Sequence, residues 1–179
     1  PRQEEEEDVA ISLRLPARVV NTLVGHYQVA SIAKILSRLA EDEAGRLDPF
    51  LRIPQIEYRR VVEDIVRELK GGVPGIQAIV LFGSVAKGSA DRASDIDLLI
   101  VHPEPLSAER KALDAVKTFS HNSRRPERYK VRPIAESVEG IRKRLSGSRS
   151  EMRPILREGI FLIENDVVKR FRGEIGDAT

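Results

Sequence analysis

Residues 80–101 read VLFGSVAKGSADRASDIDLLIV, and no other stretch limits the architecture as tightly. Two apolar runs, IQAIVLF ending at Phe82 and DIDLLIV starting at Asp95, have the length of single strands and are too short for buried helices. Strands this continuously apolar are buried on both faces, which requires a sheet covered by helices. Yet the second run carries Asp95 and Asp97. A buried carboxylate costs several kcal/mol unless it is paired or neutralised. Side chains at i and i+2 of a strand share a face, so these two project together and repel each other when ionised. A divalent cation removes that penalty. Mg²⁺ takes hard oxygen ligands, keeps several waters and is completed by phosphate oxygens. The turn before the pair, Gly83-Ser84, fits the same purpose. Glycine lets the backbone turn sharply and a ligand approach closely. The N–H groups of a short helix starting there, the Ser84 hydroxyl and the Lys87 ammonium favour phosphate. A glycine–serine turn alone is common, and so is Asp-x-Asp alone. Their combination at this spacing is far more specific.

The rest of the chain alternates helices and strands around this unit. VAISLRL, residues 9–15, alternates as a strand with one buried face. Pro16 suits the first turn of a helix with Val19, Val20, Leu23 and Val24 inside and Gly25 at its end. Ser31 caps a second helix, with Ile32, Ile35, Leu36 and Leu39 inside, closing before Gly45. Residues 46–54 read as irregular or briefly extended. Tyr58, Val61, Val62, Ile65, Val66 and Leu69 form one helical face, stopped by GGVPG at 71–75. After Pro103 and Pro105, Ser107 caps a helix with Leu113, Val116 and Phe119 inside. Residues 120–127 form a polar loop. RYKVRPIA is a third strand, confined by Pro133 to an edge or an end. Helices around Val138–Leu145 and from Ser150 follow, and IFLI, 160–163, is a last short strand. The expected class is α/β (α+β): a small mixed β-sheet flanked by helices, with a mainly helical N-terminal module. The expected division is 1–54 for that module, 55–165 for the sheet domain and 166–179 for a C-terminal tail.

Composition narrows the function classes. With no cysteine, thiolate metal sites and disulfides are excluded. The aromatic share of 4% leaves an aliphatic core. No run approaches a membrane span, and the polar start PRQEEEED lacks a signal-peptide pattern, so a cytoplasmic protein without a membrane partner is expected. The net charge of +2 hides an acidic start and an Arg-rich remainder. Residues 124–157 hold eleven Lys/Arg against four Glu. Such a region either attracts nucleotide phosphates or nucleic acid or is a solvated surface. His26, His102 and His121 show no metal-ligand spacing. No serine is visibly paired with a histidine and an acid, and no GxxxxGK[ST] phosphate loop is present.

GSVAKGSADRASDID resembles the signature of the DNA polymerase β-type nucleotidyltransferases, closest to their minimal family: Gly-Ser, ten residues, Asp-x-Asp. The resemblance is clear over roughly 60–105 and weaker at EMRPILREGIFLI. It implies a nucleotidyltransferase fold, with Gly83, Ser84 and Lys87 binding the triphosphate and Asp95 and Asp97 as catalytic, Mg²⁺-binding residues. It implies transfer of a nucleoside monophosphate from a nucleoside triphosphate, ATP being favoured, to an acceptor hydroxyl, which could sit on a partner protein such as a paired toxin. One departure matters. The family's third carboxylate falls at or near Arg132, which cannot coordinate Mg²⁺ or act as a base. Glu127 and Glu136 are the nearest substitutes. A catalytically weak or inactive nucleotide-binding or DNA-binding regulator is therefore the alternative.

The first fifty residues leave three readings open. AISLRLPARVV resembles ribbon-helix-helix modules, whose paired strands read the major groove; Ser12 and Arg14 would then contact DNA. A degenerate winged helix is the second reading. The third is packing on the sheet domain or a dimer interface, consistent with a homo-oligomer.

Overall fold

The computed structural model describes residues 14–27, 31–122, 129–146 and 150–176. The chain divides into two compact units, Pro1–Glu43 and Ala44–Thr179.

In the first unit, α1 (Ala17–Tyr27) follows Pro16, whose carbonyl accepts from the Val19 and Val20 N–H groups. Gly25 does not end this helix; two more residues continue it. α2 (Ile32–Leu47) starts after Ser31, ends among residues of the second unit and also runs past its expected end. Gly45 is helical, and the Arg52 stem lies where its Cβ would be. Of the strand expected over 9–15, residues 9–13 lie outside the described residues, and Arg14 and Leu15 take no regular structure.

The second unit is built on a four-stranded sheet of order β3-β2-β1-β4. Its strands are β1 (Ala78–Phe82), β2 (Ile96–Val101), β3 (Val131–Glu136) and β4 (Ile160–Glu164). β1 runs antiparallel to β2 and β4, while β2 and β3 are parallel, so the sheet is mixed as expected. β3 is an edge, which is where Pro133 can lack its N–H without breaking a ladder.

Strand alternation sorts the core into two layers. Ile79, Leu81, Ile96, Leu98 and Ile100 pack against α3 (Ile56–Gly72) and α5 (Pro105–Asn122). Ala78, Val80, Leu99 and Val101 pack with residues of α6 (Val138–Leu145), α7 (Met152–Glu158) and α8 (Asp166–Gly176). The buried residues of α3 are the six read from periodicity: Tyr58, Val61, Val62, Ile65, Val66 and Leu69. α8 falls in the segment read as a tail. Asn165 opens it by accepting from the Val168 N–H at 3.0 Å, and Val168 and Phe171 are buried.

α5 corrects the sequence reading. It begins at Pro105, before Ser107, and continues through Asn122, inside the segment expected as loop. Ala108, Ala112 and Ala115 face the core, whereas Leu113 is 41% exposed. Three alanines make the buried face, and Ala115 lies against Gly72 of α3, a packing that apolar periodicity weighted by size does not show. A 3-10 turn (Pro49–Arg52), capped by Asp48, precedes α3. His102 is structural: Nε2 lies 2.8 Å from the Pro74 carbonyl and Nδ1 accepts from the Glu104 N–H, which fixes a neutral tautomer.

Ala112→Leu should lower the free energy of unfolding by about 1–3 kcal/mol through overpacking. Leu113→Ala should change it by less than about 0.5 kcal/mol, as at an ordinary surface position. Urea denaturation of both variants checks which face of α5 is buried.

Candidate nucleotide-binding site

The site assembles where β1 and β2 meet at one end of the sheet. β1 ends at Phe82, which pairs with Asp97. The chain then turns through Gly83, at φ +74°, into the short helix α4 (Gly83–Lys87). A Cβ on Gly83 would collide with the Asp97 carboxylate. Only glycine therefore lets the Gly83-Ser84 turn and Asp97 lie in contact, which is the juxtaposition the motif spacing predicts. α4 closes at Gly88, at φ +72°, and the Ser89 N–H donates to the Ser84 carbonyl at 3.0 Å.

The ten residues between the two halves of the motif are held rather than loose. The Asp91 carboxylate accepts from the Ala93 N–H and the Ser94 hydroxyl, at 2.9 and 3.0 Å. Those bonds, Ser94's first, hold the Asp91 carboxyl below its usual pKa. α3 anchors the loop from below: the Tyr58 hydroxyl donates to the Asp91 carbonyl at 2.6 Å, and Gln55 donates to the Ala90 carbonyl at 2.8 Å. Sequence reasoning assigned Tyr58 to the core and gave Gln55 no role; Asp91-x-x-Ser94 was the available signal for the turn.

Asp95 precedes β2 and Asp97 lies within it. The parallel pairing of β2 with β3 sets Asp97 opposite Arg132. One Arg132 guanidinium nitrogen stands 3.7 Å from Asp95 and 3.9 Å from Asp97. Both distances exceed hydrogen-bonding range, so the attraction is through-space. The Arg132 side chain is 68% exposed against 21% for Asp97, so the cation can leave while the carboxylate stays. Partial burial pushes the Asp97 carboxyl up; Arg132 pulls it back and Asp95 adds a further push. With its folded pKa raised, Asp97 contributes stability at low pH, and that contribution is lost as pH rises through and above the ordinary carboxylate range.

The structure brings together Gly83, Ser84 on the same turn, Asp95, Asp97 and Arg132. Lys87 shares a cleft of ≈ 150 Å³ with Gly83, but its ammonium pairs with Glu158 of α7 at 3.2 Å. That hydrogen bond and charge hold the Glu158 carboxyl below its usual pKa. Glu136 is not brought to the pair. It ends β3 four residues beyond Arg132, about 13 Å along the strand, with Arg144 3.8 Å from its carboxylate. Glu127 and Ser12 lie outside the described residues. Arg14 is exposed just before α1 and belongs to the other unit.

The donor set fits one divalent cation shared by Asp95 and Asp97 and completed by phosphate oxygens and water. Among the described residues, no third carboxylate or histidine gathers with them.

The sequence profile of the nucleotidyltransferase domain family matches residues 59–154. The chain belongs to that family. Nucleoside monophosphate transfer is its general chemistry, so the chain is a nucleotidyltransferase. No curated protein matches the sequence. Among solved structures, the chain is similar to a chain of a mutant MntA–HpeT toxin–antitoxin, with 17% identity over 65% of this chain and 84% of that one, TM-score 0.44. It is similar to a chain of a toxin–antitoxin with AMP-PNP, at 20% identity, the same coverages and TM-score 0.44. A third is from the tri-AMPylated Shewanella oneidensis HEPN toxin in complex with MNT antitoxin, at 16% identity over 65% and 81%, TM-score 0.39. These likenesses are weak, and the family assignment rests on the profile match. Among the described residues no helix is long and apolar enough to cross a membrane.

Carboxyl-resolved NMR titration should find Asp97 with a raised midpoint, and Arg132→Ala should raise it further by removing the nearby positive charge. An unchanged midpoint would mean that Arg132 does not stand beside it. Gly83→Ala should cost about 1–2 kcal/mol for the positive φ alone. It should also displace Asp97 and weaken nucleotide binding, measured by calorimetry.

Proposed function

We propose that this nucleotidyltransferase moves a nucleoside monophosphate from a nucleoside triphosphate, ATP being favoured, to a hydroxyl of a partner protein, with Mg²⁺ as cofactor. The observation that carries the reading is the contact of Gly83 with the Asp97 carboxylate, which sets a phosphate-binding turn beside two carboxylates. Ser84 and the N–H groups at the start of α4 would hold the triphosphate oxygens. Asp95 and Asp97 would hold the metal. Bound there, Mg²⁺ would neutralise charge on the triphosphate as pyrophosphate leaves. The chain's own part is chiefly positioning: the acceptor oxygen bonds to the α-phosphorus while the bond to the bridging oxygen of pyrophosphate breaks. Lys87 would reach the phosphates by leaving Glu158, an exchange of one exposed ion pair for another.

The acceptor's proton is the weak point. Arg132 cannot take it, so it passes to water or to a group carried by the acceptor, and slow transfer is expected. Arg132 is also the observation that favours a second reading, a nucleotide-binding regulator with little or no transfer. DNA contact through Ser12 and Arg14, homo-oligomer formation and the 1–54, 55–165 and 166–179 division belong with these proposals.

Incubation with α-labelled ATP, Mg²⁺ and a lysate from the source organism should give a labelled product that disappears with Asp95→Ala/Asp97→Ala. Arg132→Asp, which restores a third carboxylate opposite Asp97, should raise the rate about a hundredfold, the low end for one acid–base group. Absence of label with every triphosphate, alongside Mg²⁺-dependent nucleotide binding, would select the regulator.

A further inference from the structure

We infer that the arginine-lined groove at α6, α7, β4 and α8 docks an acidic, partly apolar peptide segment of the partner protein. The inference rests on the transfer reaction proposed above and describes its acceptor. The groove encloses ≈ 830 Å³, enough for several side chains. Its rim carries Arg52, Arg142, Arg153, Arg157 and Arg172 against one carboxylate, Glu174. Its floor is apolar: Leu145, Leu156, Phe161, Phe171 and Ile175.

The groove already shows carboxylate pairing. Arg142 binds Glu174 at 3.0 Å and Arg172 stands 3.3 Å from Glu164. Arg153 donates to the Leu145 carbonyl. Arg157 differs: it is 85% exposed and reaches only its neighbour Glu158, at 3.4 Å, a carboxylate that Lys87 already holds at 3.2 Å. Arg157 therefore offers charge to a ligand, and Arg52 lines the same groove.

The floor decides which polyanion fits. Nucleic acid binds such grooves by stacking bases on aromatic faces. Here the Arg172 guanidinium covers Phe161 at 4.2 Å and that of Arg142 covers Phe171 at 5.5 Å. No bare ring face is offered, while the aliphatic floor suits leucine-like side chains. A peptide with carboxylates toward the rim and apolar residues toward the floor uses both features.

Position ties the groove to the reaction. Gly159 lines both this groove and the ≈ 150 Å³ cleft that holds Gly83 and Lys87. The two spaces flank α7: Arg153, Leu156 and Arg157 line the groove, and Pro154, Ile155 and Glu158 line the cleft.

The test is fluorescence anisotropy of the full chain with a labelled short peptide of alternating Glu and Leu. Lys/Leu and Glu/Ser peptides and oligodeoxythymidine serve as comparisons. Glu/Leu should bind best, and Arg52→Glu/Arg157→Glu should weaken it about tenfold or more while melting temperature and ATP binding hold. Equal binding by that variant overturns the inference. Equal binding of Glu/Ser, or tighter binding of oligodeoxythymidine, overturns it too. The assay needs no nucleotide. Peptide binding that persists in Asp97→Asn supports the groove even if no transfer is found, which separates its failure from that of the reaction.

Discussion

Asp95 and Asp97 are held at one end of a largely apolar sheet, and the surroundings of the pair answer that negative charge. Asp97 is flanked by Phe82 on one strand and Arg132 on the other, and the bare Cα of Gly83 lies against its carboxylate. Reduced solvation raises the cost of the charge, as the upward shift of the Asp97 carboxyl records. The same reduced solvation strengthens any cation bound there. Arg132 supplies a resident positive charge at a distance too long for a firm bond. A ligand that brings its own cation has a loosely held side chain to displace, not a buried ion pair to break.

Around this point the molecule separates what must stay from what must move. The carboxylates and the turn are fixed by buried parts: apolar strands, α3, and the Asp91–Ser94 turn tied down by Tyr58 and Gln55. The cations nearby, Lys87 and Arg132, are on exposed side chains in ion pairs. Exposed pairs contribute little stability and rearrange readily. Acidic groups on partly buried side chains and basic groups on exposed ones suit a site that must admit a highly charged substrate and release a charged product.

The legible parts of this chain are local. The buried face of α3 followed from spacing of three and four, and the strands at 78–82, 96–101 and 160–164 from their short apolar runs. Glycine at 83 pointed to the turn because no other residue tolerates that backbone beside a carboxylate. Pro133 limited β3 to an edge or an end, and the sheet order makes it an edge. The reading failed where local pattern and packing diverge. Leu113 seemed a core residue by size, yet it is 41% exposed, and the small side chains of Ala108, Ala112 and Ala115 make the buried face of α5. Gly25 and Gly45 seemed helix ends, but neither helix stops there. α8 was missed because its few apolar residues, Val168 and Phe171, count only through the core layer they join, and Lys87 could not be linked to Glu158 across seventy residues.

By itself, then, the chain's order of residues determined the strands around the motif, the buried face of α3, the carboxylate pair, the glycine turn before it and the family those imply, since each depends on periodicity and chemistry within a few residues. Tertiary structure alone decided between the residues the sequence offered for the place beside the pair: Arg132 stands 3.7 and 3.9 Å from the two carboxylates, and Glu136 is not brought to them. That outcome depends on the register of β3 against β2. A slip of one residue would set Val131 or Pro133 opposite Asp97 and turn the guanidinium to the other face. Register is settled by the packing of whole layers, which no short stretch of sequence contains.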